Sequence, residues 1–232
     1  MTVVDPRFFS PYQVDLAIAR NSLTVADGNL SSVLDVNGNV IFIIKDKNFS
    51  IHDRHILLDA SEIPILTFQK KHVTIHRRWQ AFRGESTSAK DLIFSTKKSS
   101  VIQKVTELNV FLAENKDEAI GDYKVVGEWK KRSCTVYSND GATILAQMHD
   151  NHIDACIHDS EENTFAITVS PNVDYVLVVA LMVILYEVNK ARKKKKMKGM
   201  NKCGGSREMV EENEDTDEDE SEEDEVDTED SD

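Results

Sequence analysis

Twelve consecutive apolar residues, Tyr175 to Tyr186, stand between Asp174 and Glu187 in a chain whose other apolar residues are mostly scattered in alternating, strand-like patterns. A segment apolar on every side has no face to offer water and belongs inside a protein core or a bilayer. As a helix it reaches roughly 18 Å at about 1.5 Å per residue, against the ~30 Å hydrocarbon layer that takes about 20 residues to cross. Length therefore favours a core. A membrane anchor is the rival reading, because a basic block follows the run directly, as in a tail anchor with its positive charges on the cytosolic side. Val176, Val178, Val179, Val183 and Ile184 are β-branched and keep a buried strand open as well, although ten to twelve residues is helix length.

With 232 residues, 40% of them hydrophobic, the chain has ample material for one domain of ordinary size without disulfides. Cys134, Cys156 and Cys203 show no regular spacing, and the first residues lack the basic-then-apolar order of a signal peptide. A reduced, intracellular protein is expected. The formal net charge of −13 conceals three blocks. Residues 203–232 hold 17 acidic residues against Arg207, residues 190–202 hold eight bases and no acid, and residues 1–189 carry a net −5. The expected division is an N-terminal extension over 1–20, a folded domain over 21–189, a basic hinge over 190–202 and an acidic tail over 203–232 that self-repulsion keeps unfolded. Thr216, Ser221, Thr228 and Ser231 stand among acids in the manner favoured by acid-directed kinases.

Ahead of the apolar run, short segments rich in Val, Ile, Phe and Thr recur about every ten residues between turn signals, which indicates an all-β sandwich or barrel. Candidate strands are Ser22–Val25, Ser32–Val36, Val40–Lys45, Phe49–His52, Ile56–Asp59, Ile63–Gln69 and Arg78–Arg83. Leu92–Thr96, Leu108–Leu112, Tyr123–Glu128, Ser133–Tyr137, Thr143–His149 and Thr164–Ser170 follow. Asn37-Gly38 and Asp140-Gly141 read as type I′ hairpin turns, and Leu58 to Ile65 reads as a weaker third copy. A barrel of about twelve strands is too wide for its own side chains to fill. The apolar run is the natural plug: a helix over 174–188, N-capped by Asp174, with cations beyond its C-terminal end and Pro171-Asn172 turning the chain inward.

Several segments, taken together and in order, resemble the plant LURP-one-related proteins. They are Asp35-Val-Asn-Gly-Asn-Val-Ile-Phe42, His52-Asp-Arg-His-Ile-Leu-Leu-Asp59, Pro64-Ile-Leu-Thr67, His76-Arg-Arg-Trp-Gln-Ala-Phe-Arg83 and Val173-Asp-Tyr-Val-Leu-Val-Val-Ala180. The resemblance covers residues 20–190. It implies a tubby-like barrel of twelve strands around a central C-terminal helix, similar to the phospholipid scramblases, with a link to plant defence and an undetermined biochemical activity. The basic hinge and acidic tail lie outside the shared region.

Candidate contacts for anionic phospholipid head groups are Lys70, Lys71, Arg77, Arg78 and Arg83, with Trp79 and Phe82 interleaved, and Lys130, Lys131 and Arg132 after Trp129. Arginine supplies forked hydrogen bonds to phosphate and lysine a mobile charge; solvated charges around a strand are the plainer alternative. Lys193, Lys194, Lys195 and Lys196 match a nuclear-localisation pattern, and the same run suits membrane or nucleic-acid phosphate. It contains no aromatic residue for base stacking, so sequence-specific nucleic-acid binding is not expected. His149 to His158 is dense in ligand atoms but lacks paired metal-ligand spacing, and His72 and His76 lack the glutamate of the zinc-protease pattern. A Cys134 or Cys156 nucleophile beside a histidine stays open. No Gly-rich phosphate loop, nucleophile elbow or scramblase-like EF-hand loop is present. The expectation is a non-enzymatic, monomeric binding or scaffold module without metal or cofactor. It would have unknown protein partners and be cytoplasmic, with nuclear or peripheral plasma-membrane placement open; a peripheral lipid-binding adaptor of tubby type is the alternative.

Overall fold

The computed structural model describes residues 3–25, 28–47, 54–71, 78–100, 105–128, 133–149 and 164–202. Twelve strands follow one another round a closed barrel: β1 (Val14–Val25), β2 (Gly28–Leu34), β3 (Val40–Lys47), β4 (Arg54–Asp59), β5 (Pro64–Lys70) and β6 (Trp79–Arg83) make one half. The other half is β7 (Leu92–Lys98), β8 (Thr106–Leu112), β9 (Tyr123–Glu128), β10 (Ser133–Ser138), β11 (Ile144–His149) and β12 (Thr164–Val169). Each strand pairs antiparallel with its sequence neighbours, and β1 closes the ring against β12 through Val14↔Val169, Leu16↔Ile167 and Ile18↔Phe165. Closure removes the free sheet edges that would otherwise invite pairing with another chain.

Register carries one inward face round the wall. Phe42 and Ile44 oppose Val33 and Ser31 on one side, Ile44 opposes Leu57 on the other, and Leu57 opposes Leu66. The row continues through Phe68↔Ala81 and Ala81↔Phe94. These side chains meet α1 (Tyr175–Lys202), whose residues Val176 to Leu185 are at most 2% exposed. A helix with side chains is about 10–12 Å across and fills the lumen that twelve strands leave open. Each fully buried Val, Leu, Ile or Met contributes about 1.5–3 kcal/mol relative to exposure, so the apolar run is the central element of the core. Among the described residues no helix is long and apolar enough to cross a membrane.

Asp174 caps α1 as expected, its Oδ1 accepting from Val176 N at 3.1 Å and Leu177 N at 3.3 Å. Asn172, at φ 62°, turns the chain inward and donates its N–H to Ser10 O at 2.7 Å.

Three features depart from the expectation. The barrel begins at Val14, not after residue 20: Leu16 and Ile18 alternate inward and are fully buried, while residues 3–10 pack across the start of α1. The helix continues past residue 188 to Lys202. Lys, Arg, Met and Ala all favour helix, Pro is absent from the stretch, and cations suit the C-terminal end of the dipole. The hairpin turns are also not type I′. At Asp35–Asn39 only Gly38 has positive φ (81°), Gly38 N donates to Asp35 O at 3.1 Å, and Asp35 Oδ1 accepts from Asn37 N and Asn39 N. A turn of this kind needs one left-handed residue, followed by a bulge. The third hairpin repeats it: Asp59 Oδ1 accepts from Ser61 N and Ile63 N, with Glu62 in the left-handed place at φ 61°. The candidate strand Phe49–His52 and the acidic tail lie outside the described residues.

Candidate functional site

Among the described residues, the cations singled out in the sequence divide between the two ends of β6. Arg78 precedes β6 and Arg83 ends it, five residues apart and so separated by about 17 Å of extended chain. Arg78 lies on the outside wall under the 113–122 loop, where its two Nη atoms donate to the Glu118 carboxylate and Nη1 also to Ser95 Oγ at 3.0 Å. Lys97 Nζ reaches Glu118 Oε2 at 3.3 Å and sits 4.6 Å above the Phe111 ring centroid. The Arg78 hydrogen bonds hold the Glu118 carboxyl down at about 2. Arg83 donates to Val4 O at 3.1 Å and thereby pins the N-terminal segment. Lys70 is half-buried beside Trp79, and Lys71 is exposed. Arg77, Lys130, Lys131 and Arg132 lie outside the described residues, as do His72, His76, Cys156 and residues 150–158. Lys193 to Lys196 fall within the helical extension of α1.

Cys134 faces the lumen from β10, and burial pushes its thiol up to about 12. At 2% exposure it packs within the core cluster, where burial favours the neutral thiol over the thiolate.

The two ends of the barrel hold the remaining polar chemistry. At the end where α1 starts, a cavity of about 290 Å³ opens between Tyr123, Asn139, Leu145, Val173 and Leu177, with Asp122 and Asp174 on its rim. Asp122 Oδ2 is engaged by Leu112 N and Asn115 Nδ2, each at 2.9 Å. Burial, with the Asp122 and Asp174 charges nearby, raises the Tyr123 phenol above its ordinary value, so it faces the opening as a hydrogen-bond donor.

At the end where α1 leaves, Thr106 Oγ1 donates to Asn189 Oδ1 at 3.0 Å, and Asn189 Nδ2 donates back to Leu185 O at 2.8 Å. Asp46 and His55 are cross-strand partners here, with Asp46 Oδ1 2.7 Å from His55 Nδ1. The imidazole stacks on Phe68 at 5.3 Å between ring centroids and lies 5.6 Å from Trp79. Glu187 comes down from α1 to the same place. None of these three residues stood out in the sequence, because they are scattered along it. A signal was nonetheless present: Phe42, Ile44 and Asp46, like His55 and Leu57, place a polar residue in an otherwise apolar inward alternation.

This architecture has relatives. The sequence profile described as LURP-one-related matches residues 14–186, which begins where β1 begins. In Arabidopsis thaliana, LURP-one-related 15 is 45% identical over 188 residues, covering 81% of this chain and 86% of that protein. LURP1 from the same plant is 41% identical over 189 residues, covering 82% and 90%. An X-ray structure of an Arabidopsis thaliana protein, 38% identical, superposes with a TM-score of 0.62 over 81% of this chain and 98% of the other. With the barrel, its central helix and 173 consecutive residues of profile in agreement, the chain belongs to the LURP-one-related family.

Proposed function

We propose that this protein is a non-enzymatic binding module that meets its partners at the ends of the barrel. The filled interior supports this reading: among the described residues, Val176 to Leu185 pack the lumen at no more than 2% exposure, and recognition falls to the rims. The opening beside the start of α1 combines apolar Leu145 and Leu177 with the Tyr123 donor, which suits an apolar group carrying a hydrogen-bond acceptor. A part in plant defence belongs to this reading through the family. The test is affinity purification from plant tissue with the full chain and with Asn139→Trp, an exposed rim position whose enlargement obstructs the opening. Partners lost from the variant support the reading; an identical set in identical yield counts against it.

The continuity of α1 favours a second reading, a peripheral adaptor for anionic phospholipid. The basic block 190–202 leaves the barrel as an extension of a helix anchored in the core. Such a block attracts anionic membranes at about 1 kcal/mol per Lys or Arg near the surface, and salt screens it. Full-length protein should sediment with vesicles of mixed neutral and anionic phospholipid but not with neutral vesicles, and replacing Lys193 to Lys196 by alanine should abolish the difference. Equal recovery on both vesicle types would remove this reading. The same variant in a fluorescent fusion tests nuclear import.

A further inference from the structure

We infer that the end of the barrel where α1 starts is a docking face for a basic segment of a partner protein, one that carries apolar side chains among its cations. The inference rests on the reading that partners meet the barrel at its ends, and it names the chemistry of the partner.

Exposed apolar side chains mark this end. Among the described residues the large hydrophobics left in water are Tyr12, Val36, Val40, Ile63, Ile120 and Ile144, each 42% exposed or more, with Val105 besides. Tyr12 precedes β1, Val36 and Val40 flank the turn from β2 to β3, and Ile63 closes the turn from β4 to β5. Ile120 stands between β8 and β9, and Ile144 opens β11. All of these belong to connections at the end where α1 starts, whereas Val105, ahead of β8, is at the other. Ile144, Tyr12, Val36, Val40 and Ile63 follow in that order along the ring from β11 through β1 to β4. Single exposed hydrophobics are ordinary, but a row of them gathered at one end marks an interaction surface. The turns do not account for it, since an Asx hairpin needs its aspartate and one left-handed residue and makes no demand on the side chains of Val36, Ile63 or Ile144.

Charge selects the occupant. Residues 35–39, 59–63 and 139–143, the three hairpin tips, carry Asp35, Asp59, Glu62 and Asp140 and no Lys or Arg. Turn hydrogen bonds from Asn39 to Asp35 and from Thr143 to Asp140 hold both carboxyls below their ordinary value, so their charge persists at neutral pH. The cations beside them are committed elsewhere: Arg7 pairs with Asp5 at 3.0 Å, and Arg83 donates to Val4 O. Such a face repels the phosphates of nucleic acid and anionic lipid, and it complements cations interleaved with apolar groups. The cavity beside it fits the same guest, because Leu145, next to Ile144, forms part of its wall and Tyr123 faces the opening. A peptide supplies both features at once: an aliphatic side chain enters, and a backbone carbonyl accepts from the Tyr123 phenol. The basic block 190–202 leaves from the opposite end, so a phospholipid contact there does not compete for this face.

The test selects a phage-displayed random peptide library on the full-length protein, after passage over a synthetic peptide of residues 203–232 that removes binders of the acidic tail. The expected result is enrichment of sequences that mix Lys or Arg with aliphatic or aromatic residues. An enriched peptide, made synthetically, should bind roughly tenfold or more weakly to Glu62→Lys and to the double variant Ile63→Ser with Ile144→Ser, each checked for fold by circular dichroism. Added salt should weaken its binding to the wild type. Enrichment of peptides without cations, no enrichment, or equal affinity for wild type and variants would overturn the proposal. So would loss of anionic-vesicle binding in the double variant, which would make this face a membrane contact. If the selection fails while Asn139→Trp still loses partners from plant tissue, the binding-module reading stands and only the partner chemistry named here falls.

Discussion

Asp174 and Val4, 170 residues apart in sequence, are joined by a 2.7 Å hydrogen bond from the Val4 backbone N–H to Asp174 Oδ2. The same oxygen takes Val3 N at 3.1 Å, while Oδ1 caps the helix through Val176 N and Leu177 N. One buried carboxylate therefore fastens the N-terminal segment over the start of the helix that fills the barrel. An anion at this position also complements the positive end of the helix dipole.

Asp174→Ala removes the cap and leaves buried N–H groups without an acceptor. A cap is worth about 1 kcal/mol, and each stranded buried donor about 1–3 kcal/mol. Urea unfolding should show a loss of about 2–4 kcal/mol, and Asp174→Asn, which retains one acceptor oxygen, a smaller one. A change below about 0.5 kcal/mol in Asp174→Ala would contradict the fastening role.

The three Asx hairpins supply a backbone prediction. Gly38 and Gly141 occupy left-handed positions at no steric cost, whereas Glu62 holds the same kind of position, φ 61°, with a side chain attached. Glu62→Gly should raise stability by about 0.5–1 kcal/mol, and Gly38→Ala should lower it by a similar amount. Denaturant midpoints of the two variants should move in opposite directions; movement the same way would show that the left-handed site does not govern either.

The sequence announced the barrel, its plug and the Asp174 cap because each rests on local pattern: alternation, an unbroken apolar run, and a capping residue followed by that run. Val14, Leu16 and Ile18 alternate just as clearly, yet the strand they open passes through Arg20-Asn21, and its partner β12 lies some 150 residues away. The end of α1 is not legible in the same way, because the apolar run stops at Tyr186 while Lys and Arg sustain the helix to Lys202. The candidate phosphate contacts show the limit of reading charge from sequence. Arg78 and Arg83 look like neighbours in one basic run, but Glu118, 40 residues on, claims the first and Val4 O the second. The cluster of Asp46, His55 and Glu187 depends wholly on strand register and on how far the helix descends.

Close packing between α1 and β9 gives a sharper test of the plugged barrel. A Cβ added at Gly127 would lie 2.9 Å from Cys134 Cβ and 3.1 Å from Leu185 Cδ2. Gly127→Ala should therefore destabilise by about 1–3 kcal/mol through overpacking, although alanine usually suits a strand no worse than glycine. Cys134 provides the matching kinetic readout: in the native protein its labelling by a thiol reagent should proceed only through opening, and should accelerate in Gly127→Ala. Rapid labelling of native Cys134 would mean that the helix does not seal this wall.

The Glu118 carboxylate makes the outer wall sensitive to acid. Its value in the folded protein, about 2, lies below its ordinary 4.5 because Arg78, then Lys97, stabilises the charged form. A depressed folded value means that the contribution is fully present above about pH 4.5 and is lost as pH falls through the interval from 4.5 towards 2. Solvent reaches this partly open pair, so the contribution is about 1 kcal/mol, well short of the full linkage value. Wild type should exceed Glu118→Gln in stability at pH 6, and the gap should close by about pH 2.5 in denaturant titrations. Raising the salt at pH 6 should narrow it as well, since a screened ion pair has less to lose. A gap that stays constant across this pH range would show that Glu118 holds the 113–122 loop by shape and hydrogen bonding and not by its charge.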